Sequence, residues 1–309
     1  MMGNYSEADI PASIEVEQWR QRGELVNLKV NNLEHEVFVI DEEGEDSSKP
    51  VLLLVHGFPT SSWDWAPMWP QLLKQFRLVA MDMLGFGFTD KPNKRNYTIH
   101  KQADLVEAVV RYKGLQACHV LAHDYGDTVS QELLARQNEG VGEGKWLSCC
   151  FLNGGLFPET HRALLTQKLL LSPIGGFINR LSGYKQFRKN FSHVFGANTK
   201  PSEAELASFW KLINHKDGKH LFHNLMTYIN DRKTHRVRWI KALQQSQIPL
   251  ALINGSVDPV SGKHMVERYK ELECRLDYLG ELGAIGHYPQ VEAPNDVAQH
   301  YLKFLNAIS

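Results

Sequence analysis

Leu121-Ala122-His123-Asp124-Tyr125-Gly126-Asp127 is the stretch on which the reading of this chain turns. An apolar run from Cys118 ends at the small residue Ala122, and a potential nucleophile, Asp124, comes two residues later. Gly126 and a helix-like segment from Thr128 to Gln137 follow. The pattern small-x-nucleophile-x-small between a strand and a helix describes a sharp, strained turn that lifts one side chain above the end of a sheet. At Gly126 a larger side chain is expected to collide with the strand or helix that the turn joins. Asp127 falls in the first turn of the helix, where a carboxylate suits the helix dipole.

Working outward, strand-like and helix-like segments alternate on both sides of this turn. Leu25 to Val30 and Glu36 to Ile40 read as strands joined at Asn31-Asn32, and Asp41 to Lys49 as an acidic loop. Val51 to Val55 is continuously apolar, as a strand covered on both faces should be. A helix is expected over Ser62 to Phe76, a strand over Leu78 to Met81, and a helix over His100 to Tyr112 capped by Gly114. Leu147 to Leu152 is the next strand. From Phe157 to Trp239 only helices are expected: roughly Thr160 to Leu171, Ser202 to His215, His220 to Ile229 and Thr234 to Leu243. Ser202-x-x-Glu205 forms a capping box, and Pro173, Gly175, Gly176 and Gly196 mark loops. Pro249 to Asn254, a helix over His264 to Leu272, a strand over Arg275 to Leu279 and a last helix capped by Asn295 complete the chain. The lead-in, Met1 to Gln18, is polar and expected to be loosely packed.

This order predicts an α/β fold: a mostly parallel eight-stranded sheet with helices on both faces and an inserted helical cap. The expected division is 1–155 for the first part of the core, 156–243 for the cap and 244–309 for the second part of the core. Ligands of such sheets bind beyond the carboxyl ends of the strands. His56, Asp82, Asp124, Asn153, Asp258 and His287 all follow strands, so one edge should gather them.

The chemistry follows from residue types and their order. Asp124, Asp258 and His287 run in the order nucleophile, acid, base. A free Asp ionises near a pKa of about 3.9, so Asp124 needs no base to become nucleophilic. It can attack an electrophilic sp3 carbon and form an alkyl ester. His287, oriented by Asp258, then activates water to hydrolyse that ester. The backbone N–H groups of Phe58 and Tyr125 are the positional candidates for an oxyanion hole. A cis peptide before Pro59 is compatible with the loop. His56 and His123 read as hydrogen-bonding scaffold, and Gly85-x-Gly87 as a tight loop rather than a dinucleotide fingerprint.

Composition narrows the partners. With 309 residues, 43% hydrophobic and 22% charged content and a formal charge of −1, the chain gives no reason to expect nucleic acid or an acidic membrane surface. No cysteine, histidine or carboxylate spacing suggests a metal site, and no cofactor is expected. Cys118, Cys149, Cys150 and Cys274 read as buried free thiols of a reducing compartment, and the absence of a signal-like N-terminus or a long aliphatic run suggests a cytoplasmic protein without a membrane span. The expected partners are a small apolar electrophile and water.

Three motifs now carry a family resemblance: His56-Gly-Phe-Pro-Thr-Ser-Ser-Trp-Asp-Trp, Asp82-Met-Leu-Gly-Phe-Gly-Phe-Thr-Asp-Lys-Pro and His123-Asp-Tyr-Gly-Asp. From about Val51 to the C-terminus the chain resembles the epoxide hydrolase and haloalkane dehalogenase group of α/β-hydrolases, most closely its mesoderm-specific transcript branch. Asn153-Gly-Gly-Leu-Phe-Pro-Glu-Thr-His-Arg, Tyr228-Ile-Asn-Asp-Arg-Lys and Gly286-His-Tyr-Pro-Gln carry that closer likeness. Members of the branch have a membrane-spanning N-terminus, which is not expected of this chain. The resemblance implies epoxide hydrolysis, with haloalkane or haloacid dehalogenation by the same triad as the alternative and a binding protein with little catalysis as a third reading. Dehalogenases of the group place a halide-binding Trp after the nucleophile and Asn after His-Gly, where this chain has Tyr125 and Phe58; the missing N–H donors favour epoxides. Epoxide hydrolases use cap tyrosines to hold the epoxide oxygen, a role that falls to Tyr228 with Tyr184 as its candidate partner.

Overall fold

The computed structural model describes residues 15–44, 48–92, 97–160 and 183–308. Eight strands form one sheet: β1 (Gly23–Val30), β2 (Leu33–Glu42), β3 (Val51–Val55), β4 (Arg77–Met81), β5 (Ala117–His123), β6 (Lys145–Leu152), β7 (Leu250–Gly255) and β8 (Tyr278–Leu282), in the order β1-β2-β4-β3-β5-β6-β7-β8. β1 and β2 are an antiparallel hairpin, β2 runs antiparallel to β4, and the remaining pairs are parallel. At the hairpin turn Asn31 and Asn32 have φ of 51° and 64°, the left-handed pair that a two-residue hairpin requires and that Asn tolerates.

Because side chains alternate along a strand, each central strand feeds two apolar layers. Leu53, Val55, Val79, Val120, Ala122, Phe151 and Leu252 belong to one layer, and Leu52, Leu54, Leu78, Leu121, Leu152 and Ile253 to the other. β3 is flanked by β4 on one side and β5 on the other. The connections therefore diverge at β3, and the crevice beyond its carboxyl end is where such sheets take ligands.

Several expected helices differ in the structure. Residues 16–18, expected to be loose, belong to α1 (Val16–Arg22), whose Trp19 is fully buried, stacks edge-on against Trp69 and donates from Nε1 to Ser62 Oγ at 3.1 Å. The helix expected over 62–76 is a 3-10 turn (Ser62–Trp65) followed by the single-turn α2 (Trp69–Leu72). Pro67 and Pro70 each lack an N–H, which prevents a continuous helix here. α3 (Ile99–Tyr112) ends as expected, with Gly114 at φ 63°. α4 (Tyr125–Asn138) starts directly after Asp124.

All described elements between β6 and β7 are helical: α5 (Tyr184–His193), α6 (Glu203–Asn214), a 3-10 segment (His215–Leu221), α7 (Phe222–Leu225), α8 (Tyr228–Thr234) and α9 (Arg236–Gln244). The Ser202–Glu205 capping box is formed in both directions. The helix expected over 220–229 is broken, with left-handed Lys216 and Asp217 ahead of it. The helix expected over 160–171 and Pro173, Gly175 and Gly176 lie outside the described residues. α10 (Lys263–Glu271), α11 (Pro289–Glu292) and α12 (Pro294–Ile308) complete the core. Pro294 opens α12 at its first position, so Asn295 lies inside the helix instead of capping it. The final strand runs three residues later than expected, because Asp277 Oδ2 accepts the Leu250 N–H at 2.8 Å at the point where β8 begins. All four cysteines are buried free thiols. No described helix is long and apolar enough to cross a membrane.

Candidate active site

Asp124 sits at φ 47°, ψ −104°, a conformation strained for any L-residue other than glycine. The backbone is held there from both sides: the Asp124 N–H donates to Leu152 C=O at 3.1 Å, and the Asp127 N–H donates to Asp124 C=O at 3.2 Å. A Cβ on Gly126 would lie 2.4 Å from Val55 O and 2.6 Å from His56 O. The collision expected at Gly126 is thus with the neighbouring strand β3, not with the strand or helix that the turn joins. Gly57 has the same function from the opposite side, since its Cβ would lie 2.5 Å from the His123 ring.

The loop after β3 brings Phe58 over Asp124. The Phe58 N–H donates to Asp124 Oδ2 at 3.1 Å, its carbonyl accepts from the Tyr288 hydroxyl at 2.9 Å, and the Phe58–Pro59 peptide is cis. Tyr125, the other expected oxyanion donor, is the first residue of α4, where helix N–H groups have no partner within the helix.

Asp258 and His287 converge from the ends of β7 and β8. Asp258 Oδ2 accepts from His287 Nδ1 at 2.7 Å, from Asn153 Nδ2 at 3.0 Å and from the Ser261 hydroxyl at 2.9 Å, while Oδ1 accepts the Val260 N–H at 2.7 Å. The other imidazole nitrogen, Nε2, lies 3.8 Å from Asp124 Oδ1. The His287 main chain is also fixed: its N–H donates to Val194 C=O at 2.9 Å, and the Gly286 N–H donates to Glu292 Oε2 at 2.9 Å. Glu292 also accepts from Gly196 N–H and Thr199 Oγ1, tying the helical segment to the His287 loop. Nothing in the sequence pattern singled out Glu292 or Ser261.

The electrostatics follow from burial and pairing. Burial pushes the Asp124 carboxyl up, but hydrogen bonding and charge from His287, then the charge of Arg232, outweigh it and hold the group well below the usual carboxylate range. Asp258 is lowered for the same reasons, against its burial, by His287 and Asn153. Burial alone would lower His287; the charge of Asp258 and the bonds to Asp124 and Asp258 raise it well above an ordinary histidine. His123 is the opposite case: burial and the charge of His287 lower it to about 3, and as a neutral ring it donates from Nε2 to the His287 carbonyl at 2.7 Å. His56 is likewise scaffold, with its Nδ1–H bonded to Gly57 O at 2.8 Å and Nε2 accepting the Met83 N–H at 2.9 Å.

Comparison with known proteins shows the family and the fold. A family model described as the alpha/beta hydrolase fold matches residues 50–294. The chain is 42% identical over 300 residues to the mesoderm-specific transcript homolog protein of Bos taurus, covering 94% of this chain and 87% of that one. This chain is an α/β-hydrolase of the mesoderm-specific transcript branch. The hydrolase is also 36% identical over 290 residues to the putative hydrolase LipZ of Mycobacterium tuberculosis, covering 94% and 98% of the two chains. In fold it is similar to a haloalkane dehalogenase loop variant from Bradyrhizobium elkanii, with a TM-score of 0.76, 20% identity and coverage of 93% and 97%.

Four further residues of the hydrolase bear on the site. Asp127 lies in the first turn of α4, as expected, but is fully buried there, and burial followed by the charge of Asp124 pushes its carboxyl well above the usual carboxylate range. Tyr228 opens α8 and meets Tyr125 edge-on at 5.0 Å and Phe58 at 6.4 Å. Tyr184 opens α5, 6.5 Å from Phe187 and 5.9 Å from Trp210; no described contact links it to Asp124 or Tyr228. Arg232, which sequence reasoning missed, is buried beside Tyr228 instead. Its signal was the i, i+4 spacing from Tyr228, which on a helix brings two side chains together.

Proposed function

We propose that this hydrolase opens small apolar epoxides through an alkyl ester of Asp124. The observation that carries the reading is the nucleophile itself: a carboxylate at the strained elbow, bonded to the Phe58 N–H and facing the Asp258-bound imidazole of His287. A carboxylate is a poor catalyst for acyl transfer, which would pass through a mixed anhydride, but a competent nucleophile for an sp3 carbon. Phe58, Phe86, Phe222, Tyr125 and Tyr228 form an aromatic cluster above it, suited to an apolar substrate, and the described helices between β6 and β7 act as a cap over the site.

The charges order the two half-reactions. At rest His287 lies between two carboxylates, with Asp258 at 2.7 Å and Asp124 at 3.8 Å, and is held protonated. Attack of Asp124 on the epoxide carbon breaks the C–O bond, forms the ester and leaves an alkoxide. One of the two anions supporting the imidazolium is then gone. The imidazole loses a proton as the alkoxide gains one, and only then becomes a base able to take a proton from water. Hydroxide adds to the ester carbonyl, with Phe58 and Tyr125 N–H groups stabilising the oxyanion. Collapse releases the diol and restores the carboxylate and the imidazolium.

Mass spectrometry of His287→Gln after incubation with 1,2-epoxybutane and with 1-chlorobutane tests this. An adduct of intact epoxide mass on Asp124 is expected. A butyl ester formed from the chloride alone would establish the dehalogenase reading, which the fold likeness to dehalogenases keeps in view. Absence of any ester, with wild-type enzyme inactive on both, would leave a binding role.

A further inference from the structure

We propose that Arg232 is a positioning residue for the leaving oxygen: it polarises the Tyr228 phenol, so that one tyrosine backed by a fixed cation receives the negative charge released from the epoxide. This rests on the epoxide reading above and names the group that completes the leaving-group side of that site.

Arg232 is 1% exposed. A guanidinium does not lose its charge on burial, so a permanent cation stands inside the site. It is carefully seated. Its Nε donates to Thr128 Oγ1 at 2.8 Å, in the first turn of α4 just beyond the nucleophile. Gly155 forms the bed beneath it, since a Cβ there would lie 2.4 Å from Nη1. One helical turn back, the Tyr228 ring lies under the guanidinium, its centroid 4.5 Å from Cζ. Asp231, the residue between these seats, accepts the Ile99 N–H at 2.9 Å and fastens α8 to the start of α3. The short helix is therefore pinned on both sides of the Tyr228–Arg232 pair.

This placement favours the transition state over the resting state. At rest the negative charge resides on Asp124, and it opposes any build-up of charge on the phenol, as burial does; Arg232 opposes both. As Asp124 attacks, its charge passes through the breaking C–O bond to the oxygen that Tyr228 faces. The opposition from Asp124 fades while the field of Arg232 remains. The hydrogen bond from Tyr228 thus strengthens as the reaction advances, which is the condition for a contact to raise the rate instead of only tightening binding. Tyr184, placed away from this pair, is not needed for the same task.

The test compares rates of ester formation, by rapid-quench mass spectrometry, on 1,2-epoxypropane and on its trifluoromethyl counterpart 1,1,1-trifluoro-2,3-epoxypropane. Fluorination makes the departing oxygen less basic and less dependent on acid help. Arg232→Gln is expected to slow the alkyl epoxide by about 10² and the fluorinated one by about 10 or less, as for loss of a group that stabilises developing charge. With Tyr228→Phe already present, Arg232→Gln should alter that selectivity by less than about twofold, because the two act through one contact. Arg232→Lys retains a cationic head without the planar stack on Tyr228 and serves if the Gln variant does not fold; it should slow the alkyl epoxide by less than about 10² and the fluorinated one less still. Equal slowing of both epoxides, additive effects in the double variant, or a folded Lys variant as slow as Gln would overturn the proposal while leaving ester formation by the wild type intact. No ester on the wild type with either epoxide would overturn the epoxide reading and this inference with it.

Discussion

β5 ends at His123, β7 at Gly255 and β8 at Leu282, and the triad candidates Asp124, Asp258 and His287 stand just beyond those ends. Tyr228 and Arg232 stand instead on α8, a helix of 7 residues in a segment where no described strand runs. The sheet edge fixes its residues through the register of neighbouring strands and through backbone hydrogen bonds such as Asp124 N–H to Leu152 and Asp258 N–H to Gly255. The helical layer fixes its residues through side chains, such as Arg232 to Thr128 and Asp231 to Ile99. The first kind of placement survives substitution of most side chains around it; the second depends on a few.

This contrast gives an order of expected effects. Asp124→Ala removes the attacking atom, and turnover of an epoxide should fall by about 10⁶, as when a covalent nucleophile is lost. A steady-state rate within tenfold of wild type would break the comparison at its root. Asp258→Asn leaves the shape of the site intact but fails to hold the imidazole as Asp258 does; hydrolysis of the ester should fall by about 10⁴, with ester accumulating on Asp124. Quench-flow mass spectra that showed less ester than in wild type would contradict that role. The same variant tests a linkage. The folded-state pKa of Asp258 is depressed, so its ionisation contributes stability above the unfolded carboxylate pKa of about 4, and that stability is lost as pH falls through the folded value. Denaturant melts of Asp258→Asn should accordingly lose less stability than wild type between neutral and acid pH.

Crossing to the helical layer, Tyr228→Phe should lower the rate of ester formation on 1,2-epoxybutane by about 10² while the fold is kept. Circular dichroism paired with single-turnover kinetics checks both halves of that statement. Tyr184→Phe should change the rate by no more than about twofold, the range of substitutions away from a site. A larger loss for Tyr184 than for Tyr228 would reverse the assignment of the two tyrosines.

The two regions were not equally legible in the chain. Val51 to Val55 and the run before Asp124 are continuous aliphatic stretches, which have few alternatives to central strands, and turn residues punctuate their ends; the strand-end residues followed from that. α4 is buried from Tyr125 to Ala135, so it has no polar face to give a helical period, and only the elbow announced it. The packing of residues 16–18 was not legible because it follows the burial of Trp19, which depends on Trp69 and Ser62, far along the chain. The burial of Asp127 was hidden for a similar reason: a carboxylate in a first helical turn is ordinary at a surface, and here Gly154, whose Cβ would fall 2.1 Å from Asp127 Oδ2, packs against it. Arg232 appears as a surface-type residue in sequence and becomes a buried cation only once α8 docks. The helix expected at 220–229 is interrupted at Met226 and Thr227, between α7 and α8, where no Gly or Pro marks a break.

The backbone of Asp124 has a consequence for how this protein will change under selection. At φ 47° the position is one that glycine occupies without penalty, and aspartate is retained there against a cost of about 1–3 kcal/mol. Asp124→Gly should therefore yield a dead enzyme that melts later than its parent. Screens for thermal robustness that do not also score turnover will drift toward glycine at this codon, trading the reaction for a more durable fold.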